Sequence, residues 1–217
     1  MPGRLKGLAG LDWQKTFRVK HPVPVLNDAH AALLGEVWRG AAQGKTNAIL
    51  LTLGTGVGGA AWIDGRLLRG HLGRAGHLGH ISLNSAGRPD IVNTPGSLED
   101  AIGECTVRAR TGGRFASTKE LVAAVKKKDP AAQTIWLESI QSLAASIASL
   151  INVLDPEVVV IGGGITKAGS LLFRPLASQL ARMEWRPGRA KVRIIPAKLG
   201  DCAGAFGAAY QALSLSS

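Results

Sequence analysis

The stretch Leu50-Leu51-Thr52-Leu53-Gly54-Thr55-Gly56-Val57-Gly58-Gly59 runs from an apolar segment of strand character into a loop with glycine at four of six positions. Glycine has no Cβ and reaches positive φ at little cost, so such a loop lets bare backbone N–H groups converge on an anion such as phosphate. The same residues also suit a plain glycine-rich hairpin turn. Ala60-Ala61-Trp62-Ile63 follows, and then Asp64-Gly65, a favoured two-residue hairpin turn. The loop therefore joins two strands. It differs from a Walker loop and from a Rossmann fingerprint, both of which open a helix.

Elements to either side read as mixed α/β. Pro22-Val23-Pro24-Val25-Leu26 reads as a short strand, and Asn27-Asp28 supply N-cap candidates for a helix through Val37. After the glycine loop and its strands comes an irregular glycine- and histidine-rich segment from Gly70 to Gly96. Ser97-Leu98-Glu99-Asp100 resembles a capping box with Asp at the last position, which predicts a helix start. Trp136, Ile140, Leu143, Ile147, Ile151 and Leu154 recur at spacings of three and four, the stripe of a long buried helix between Pro130 and Leu154.

Glu157-Val158-Val159-Val160-Ile161 reads as a buried strand that stops at Gly162-Gly163-Gly164, before a helix near Ser170 to Met183. A strand ending on three glycines leaves room for a flat ligand against backbone, although taken alone the stretch reads more simply as a tight strand-to-helix turn. Lys191 to Pro196 reads as another strand, and Ala203-Gly204-Ala205-Phe206-Gly207-Ala208-Ala209 opens a terminal helix of small residues suited to close packing.

Composition bounds what these pieces can do. The 217 residues, 46% of them hydrophobic, suffice for one large domain or two small ones. Cys105 and Cys202 stand in no metal-ligand spacing, so no disulfide framework is expected and a cytoplasmic location is. No apolar run approaches the roughly 18 residues that cross a bilayer, and Met1-Pro2-Gly3-Arg4-Leu5-Lys6 lacks a signal-peptide core. A soluble protein with no membrane partner is expected. The net charge of +11 favours anionic partners, yet only Lys126-Lys127-Lys128 is clustered, at a helix end where cations suit the dipole. No basic recognition face is visible, so no nucleic-acid partner is expected.

Five segments, Leu26-Asn27-Asp28-Ala29-His30-Ala31-Ala32, Gly54 to Gly59, Ala75-Gly76-His77-Leu78-Gly79-His80-Ile81, Gly96-Ser97-Leu98-Glu99 and Val160 to Gly164, stand in one order over nearly the whole chain. In that order they resemble the ROK family of sugar kinases, sugar-responsive repressors and related open reading frames. The resemblance implies an α/β, actin-like (ribonuclease H-like) ATPase fold and transfer of the γ-phosphoryl of ATP, with Mg²⁺, to a hydroxyl of a hexose or amino sugar. It implies homodimers or homotetramers. The expected division is a partial N-terminal lobe over 1–45, a C-terminal lobe over 46–200, and a terminal helix over 201–217 packing back across the lobes.

By the same resemblance Asp28 matches the catalytic base, needed because sugar hydroxyls are poor nucleophiles at neutral pH. A plain N-cap is the other reading of Asp28. Asn27, His80 and Glu99 match sugar ligands. Gly54, Thr55, Gly56, Gly58 and Gly59 match a phosphate loop, and Gly162, Gly163 and Gly164 match the turn beside the adenosine.

Three departures from the family pattern stand out. His77 occupies the place of a sugar-binding glutamate, and an imidazole has no fixed charge or second oxygen, which predicts an altered substrate choice; a bare surface histidine is the alternative. Many members bind a structural zinc through one histidine and three cysteines, whereas here His80 is accompanied by Asp90, Val92 and Ser97. Val92 cannot ligate, so no structural zinc is expected. A new metal site from His71, His77 and His80 is a less simple account of those histidines than a sugar pocket. Finally, nothing before Asn27 makes the Asp-x-Gly-Gly-Thr loop that helps hold Mg²⁺ and phosphates. Gly3 to Trp13 reads as the middle of an N-terminal lobe whose first strands are missing, which predicts an unpaired sheet edge. A gene fragment, a misplaced start or a non-catalytic sugar-binding homologue would each produce that pattern, while a repressor would need a helix-turn-helix ahead of the sugar domain.

Overall fold

The computed structural model describes residues 7, 8 and 10–215. A short helix, α1 (Trp13–Phe17), and an irregular run precede α2 (Asp28–Arg39), which leads into β1 (Ala48–Leu53), β2 (Val57–Ile63) and β3 (Arg66–Leu67). The long segment that follows contains the short helices α3 (Leu98–Ile102) and α4 (Val107–Arg110), and then come α5 (Thr118–Lys126) and α6 (Pro130–Leu154). The chain closes with β4 (Val158–Gly162), α7 (Ser170–Met183), β5 (Arg193–Pro196) and α8 (Ala203–Ser214).

The five strands form one sheet in the order β3-β2-β1-β4-β5. Asp64 (φ 50°) and Gly65 (φ 70°) make the β2–β3 turn, as the Asp-Gly pair predicts. β1 runs antiparallel to β2 but parallel to β4, with Leu51 opposite Ile161 and Thr52 opposite Gly162. The carboxyl ends of β1 and β4 therefore lie side by side, and both glycine-rich segments leave the sheet at the same edge.

Side-chain alternation divides the core into two layers. Ile49, Leu51, Leu53, Val159 and Ile161 face α6 and α7, while Ala48, Leu50, Val158 and Val160 face α2. Strands covered on both faces read as continuous apolar runs, which is why β1 and β4 were conspicuous in the sequence.

In α6 the Trp136, Ile140, Leu143 and Ile147 side chains are almost wholly buried, and Trp136 Nε1 donates to Leu171 O at 2.9 Å. By length and composition this 25-residue helix is apolar enough to cross a bilayer, against the reading that no run approaches that length. Ser139, Gln141 and Ser142 interrupt the apolar letters, but alternate faces of one helix still sum to a long apolar cylinder. The fold uses it as the central core helix.

On the opposite face α8 lies directly on α2. A Cβ at Gly35 would strike the Ala203 carbonyl, and one at Gly207 would strike the Ala31 carbonyl. Trp38 packs on Phe206 and Tyr210 with ring centroids 6.1 and 6.0 Å apart. The small residues read from the sequence are thus the means of backbone-to-backbone contact.

Pro22 to Leu26 form no strand. Pro22 and Pro24 have no N–H to donate to a ladder, so alternating apolar residues there do not suffice. The strand expected from Lys191 begins only at Arg193. The reading of Gly3 to Trp13 as part of a lobe lies in part outside the described residues; among the described ones, no strand precedes Ala48.

Candidate active site

The first turn of α2 brings the Asn-Asp pair to the sheet edge. Asn27 is the N-cap: its Oδ1 accepts from Ala29 N–H at 3.0 Å and His30 N–H at 3.2 Å. Asp28 is the first helical residue, exposed, with Oδ1 accepting from Ala29 N–H at 2.8 Å. Asn27 therefore does the capping that either residue was suited to do, and keeps its Nδ2 group as a donor. Behind them buried His30 reaches Ala75 O through Nε2 at 3.0 Å, tying α2 to the histidine-rich segment.

Two cavities open at this edge, of about 410 and 550 Å³. The first is lined by Asn27, Asp28, His77, His80, Glu99 and the whole loop from Gly54 to Gly59. The second is lined by Gly162, Gly163 and Gly164 together with Thr166, Lys167 and Asp201. Asp28, Ala29, Thr52 and Gly163 border both. Thr52 is a site residue that the sequence motifs do not include, although a hydroxyl breaking the apolar run Ile49 to Leu53 is its signal. It lies on the α2 face of β1, opposite Gly162. Lys167 and Asp201 carried no comparable signal.

The glycines of the loop serve a purpose other than the expected one. None of Gly54, Gly56, Gly58 and Gly59 adopts a positive φ. Three of them instead admit a neighbour: a Cβ would strike the Glu99 carboxylate at Gly56, Thr52 Oγ1 at Gly58, and Leu78 Cβ at Gly59. Positive φ is found across the cleft at Gly163 (φ 87°), which also lies against the Leu53 carbonyl. Glu99, on the first turn of α3, accepts the Val57 N–H through Oε2 at 2.9 Å. Ser97 caps that helix by accepting from Asp100 N–H at 3.3 Å.

His77 is exposed, and its ring stacks on that of His80, with centroids 6.3 Å apart and planes 22° from parallel. His80 Nδ1 lies 2.7 Å from Asp90 Oδ2. Asp90 Oδ1 also accepts from Val92 N–H and Thr94 N–H, both at 2.9 Å, and the side chain is fully buried. Burial opposes ionisation of Asp90, but the bonds from His80, Thr94 and Val92 outweigh it and hold the carboxyl at about 2. These residues do not fit a structural zinc. Two ligands bound at about 2.0–2.2 Å from one tetrahedral ion stand more than 3 Å apart, farther than His80 and Asp90 do. Among the described residues no group of three His, Cys, Asp or Glu side chains is arranged to hold a metal, and His71 lies outside the cavity.

Residues 9–214 match the ROK family. The glucokinase of Halalkalibacterium halodurans is 36% identical over 220 residues, covering 88% of this chain and 63% of that enzyme. The chain thus spans less than two thirds of the length of that curated relative. A ROK hexokinase from Thermus thermophilus superposes with a TM-score of 0.85 at 33% identity, over 93% of this chain and 69% of that one. A ROK family glucokinase from Streptomyces griseus, in complex with glucose and AMPPNP, gives 0.77 at 30% identity, over 90% of this chain and 69% of that one. With its sheet order, its paired glycine turns and this match over nearly its whole length, the chain belongs to the ROK family and has that family's actin-like α/β fold.

Proposed function

We propose that this site transfers the γ-phosphoryl of ATP to a hydroxyl of a hexose or N-acetylhexosamine. The observation that carries the reading is the place of Asp28 on the border shared by the two cavities, where an acceptor hydroxyl in one would meet a phosphoryl group from the other. The sugar occupies the first cavity, with Asn27, His77, His80 and Glu99 as its polar contacts. The adenosine of ATP, which brings Mg²⁺ with it, lies against Gly162, Gly163 and Gly164 in the second cavity, and its phosphates pass the shared border at Thr52 and Gly163 to reach Gly54, Thr55, Gly56, Gly58 and Gly59 on the wall of the first. Glucokinases and a hexokinase among the relatives support this assignment.

In the reaction Asp28 takes the proton of the attacking hydroxyl as its oxygen closes on phosphorus in line. Glu99 keeps one oxygen for the ligand while the other is fixed by Val57 N–H. Holding both substrates along one edge supplies the positioning on which phosphoryl transfer chiefly depends. The second reading, a sugar-binding protein without turnover, is favoured by His77, an exposed imidazole at the place of a family glutamate. ADP release from MgATP, measured with a panel of hexoses and N-acetylhexosamines beside thermal shifts for each sugar, separates the two. Sugar-dependent ADP supports the kinase, and a sugar-induced shift without ADP supports the binding protein.

A further inference from the structure

Asp90 touches none of the first cavity, yet it governs a group that does. A carboxylate held ionised at neutral pH has no proton to give. In the 2.7 Å contact with His80 the proton must therefore sit on Nδ1. In a neutral imidazole this leaves Nε2, on the edge of the ring away from Asp90, with a lone pair. The His80 side chain is 19% exposed and lines the cavity, while the Asp90 side chain is buried and its other oxygen is held by the Val92 and Thr94 N–H groups.

We propose that Asp90 is a positioning residue that fixes the tautomer of His80, so that the first cavity presents a hydrogen-bond acceptor at Nε2 and selects a ligand group that donates there, a hydroxyl or an amide N–H. The choice of ligand rests on the sugar reading above; the choice of tautomer does not. The loop is built to hold the arrangement. Asp90 N–H donates to Thr94 O at 2.9 Å, Asn93 N–H donates to Asp90 O at 3.0 Å, and Asn93 takes a left-handed φ of 68°. One carboxylate oxygen thus organises the turn and the other is dedicated to the histidine.

This division of labour makes Asp90→Asn an informative variant. The amide oxygen can keep the Val92 and Thr94 bonds, and the amide NH₂ then faces His80 Nδ1, which must turn from donor to acceptor and move its proton to Nε2. The test is nitrogen-15 NMR of the histidine rings of the whole chain at about pH 8. The expected spectrum has His80 protonated on Nδ1 alone, and on Nε2 alone in Asp90→Asn, with thermal unfolding showing both proteins folded. A proton on Nε2 in the unsubstituted protein, or one tautomer in both, overturns the proposal. If Asp90→Asn does not fold, the spectrum of the unsubstituted protein still decides. Sugar titrations add the second arm: dissociation constants should rise about tenfold in Asp90→Asn, and equal constants with a reversed tautomer would overturn the ligand choice. A protein that binds no sugar while showing Nδ1–H would sink the sugar reading and leave the tautomer assignment standing.

Discussion

Gly56 and Glu99 lie so close that no side chain other than hydrogen fits between them, and the Glu99 carboxylate uses that space to take the Val57 N–H at 2.9 Å. The glycine loop and the first turn of α3 are thereby locked into one wall of the cavity.

Gly56→Ala should consequently displace Glu99 by the better part of an ångström. Positioning losses of that size cost up to about a hundredfold in rate. Sugar-dependent ADP release is expected to fall by one to two orders of magnitude, with urea unfolding shifted by no more than about 1–2 kcal/mol. Steady-state kinetics beside an unfolding curve will show it; activity near that of the unsubstituted protein would mean Glu99 does not serve the ligand.

Gly207→Ala tests the contact between α8 and α2. Its Cβ falls on the Ala31 carbonyl, where two helix backbones meet and neither can yield cheaply. Overpacking of this kind costs about 1–3 kcal/mol. Because α2 carries Asp28, turnover should fall along with the urea midpoint.

Glu36 is completely buried, and its carboxylate accepts from Ala41 N–H at 2.6 Å, Lys198 N–H at 3.0 Å and Leu199 N–H at 2.8 Å. It joins the end of α2 to the segment after β5. Glu36→Gln sets an NH₂ group against backbone donors and should destabilise the fold by about 1–3 kcal/mol, read from chemical unfolding.

Acid should weaken the fold through Asp90 and Glu157. Glu157 accepts from Lys45 Nζ at 2.9 Å and Thr46 N–H at 2.8 Å, and these bonds, with that from Asn47, hold it at about 2 against an ordinary 4.5. Asp90 stands at about 2 against 3.8. Both are lower folded than unfolded, so the unfolded chain binds more protons in this range. Their stabilisation is complete above about pH 5 and is lost as pH falls from ~4.5 toward ~2. Urea midpoints recorded between about pH 6 and 3 should decline, and Glu157→Gln should flatten the decline.

Some of this was legible in the residues and some was not, for physical reasons. β1, β2 and their loop showed because a doubly covered strand leaves an apolar run, and α6 because its stripe repeats every three or four residues. The cap at Ser97 is local chemistry visible in the sequence, and the cap at Asn27 is one of the two that the Asn27-Asp28 pair offered. The Pro22 to Leu26 segment misled because period alone does not supply a ladder partner. The bond between His80 and Asp90 crosses an irregular turn with no period, so Asp90 was legible only as a residue unlike cysteine. Glu36 is further still from view, since its partners on Lys198 and Leu199 are backbone groups that any residue would provide.

The most direct test of the central claim is sugar-dependent ADP release by Asp28→Asn, measured beside its sugar affinity. Removal of a general base costs about a hundred- to ten-thousand-fold in rate. Turnover reduced by that factor, with sugar binding within about threefold of the unsubstituted protein, is the predicted result. Turnover unchanged in Asp28→Asn would contradict the assignment of the residue shared by both cavities as the group that accepts the proton.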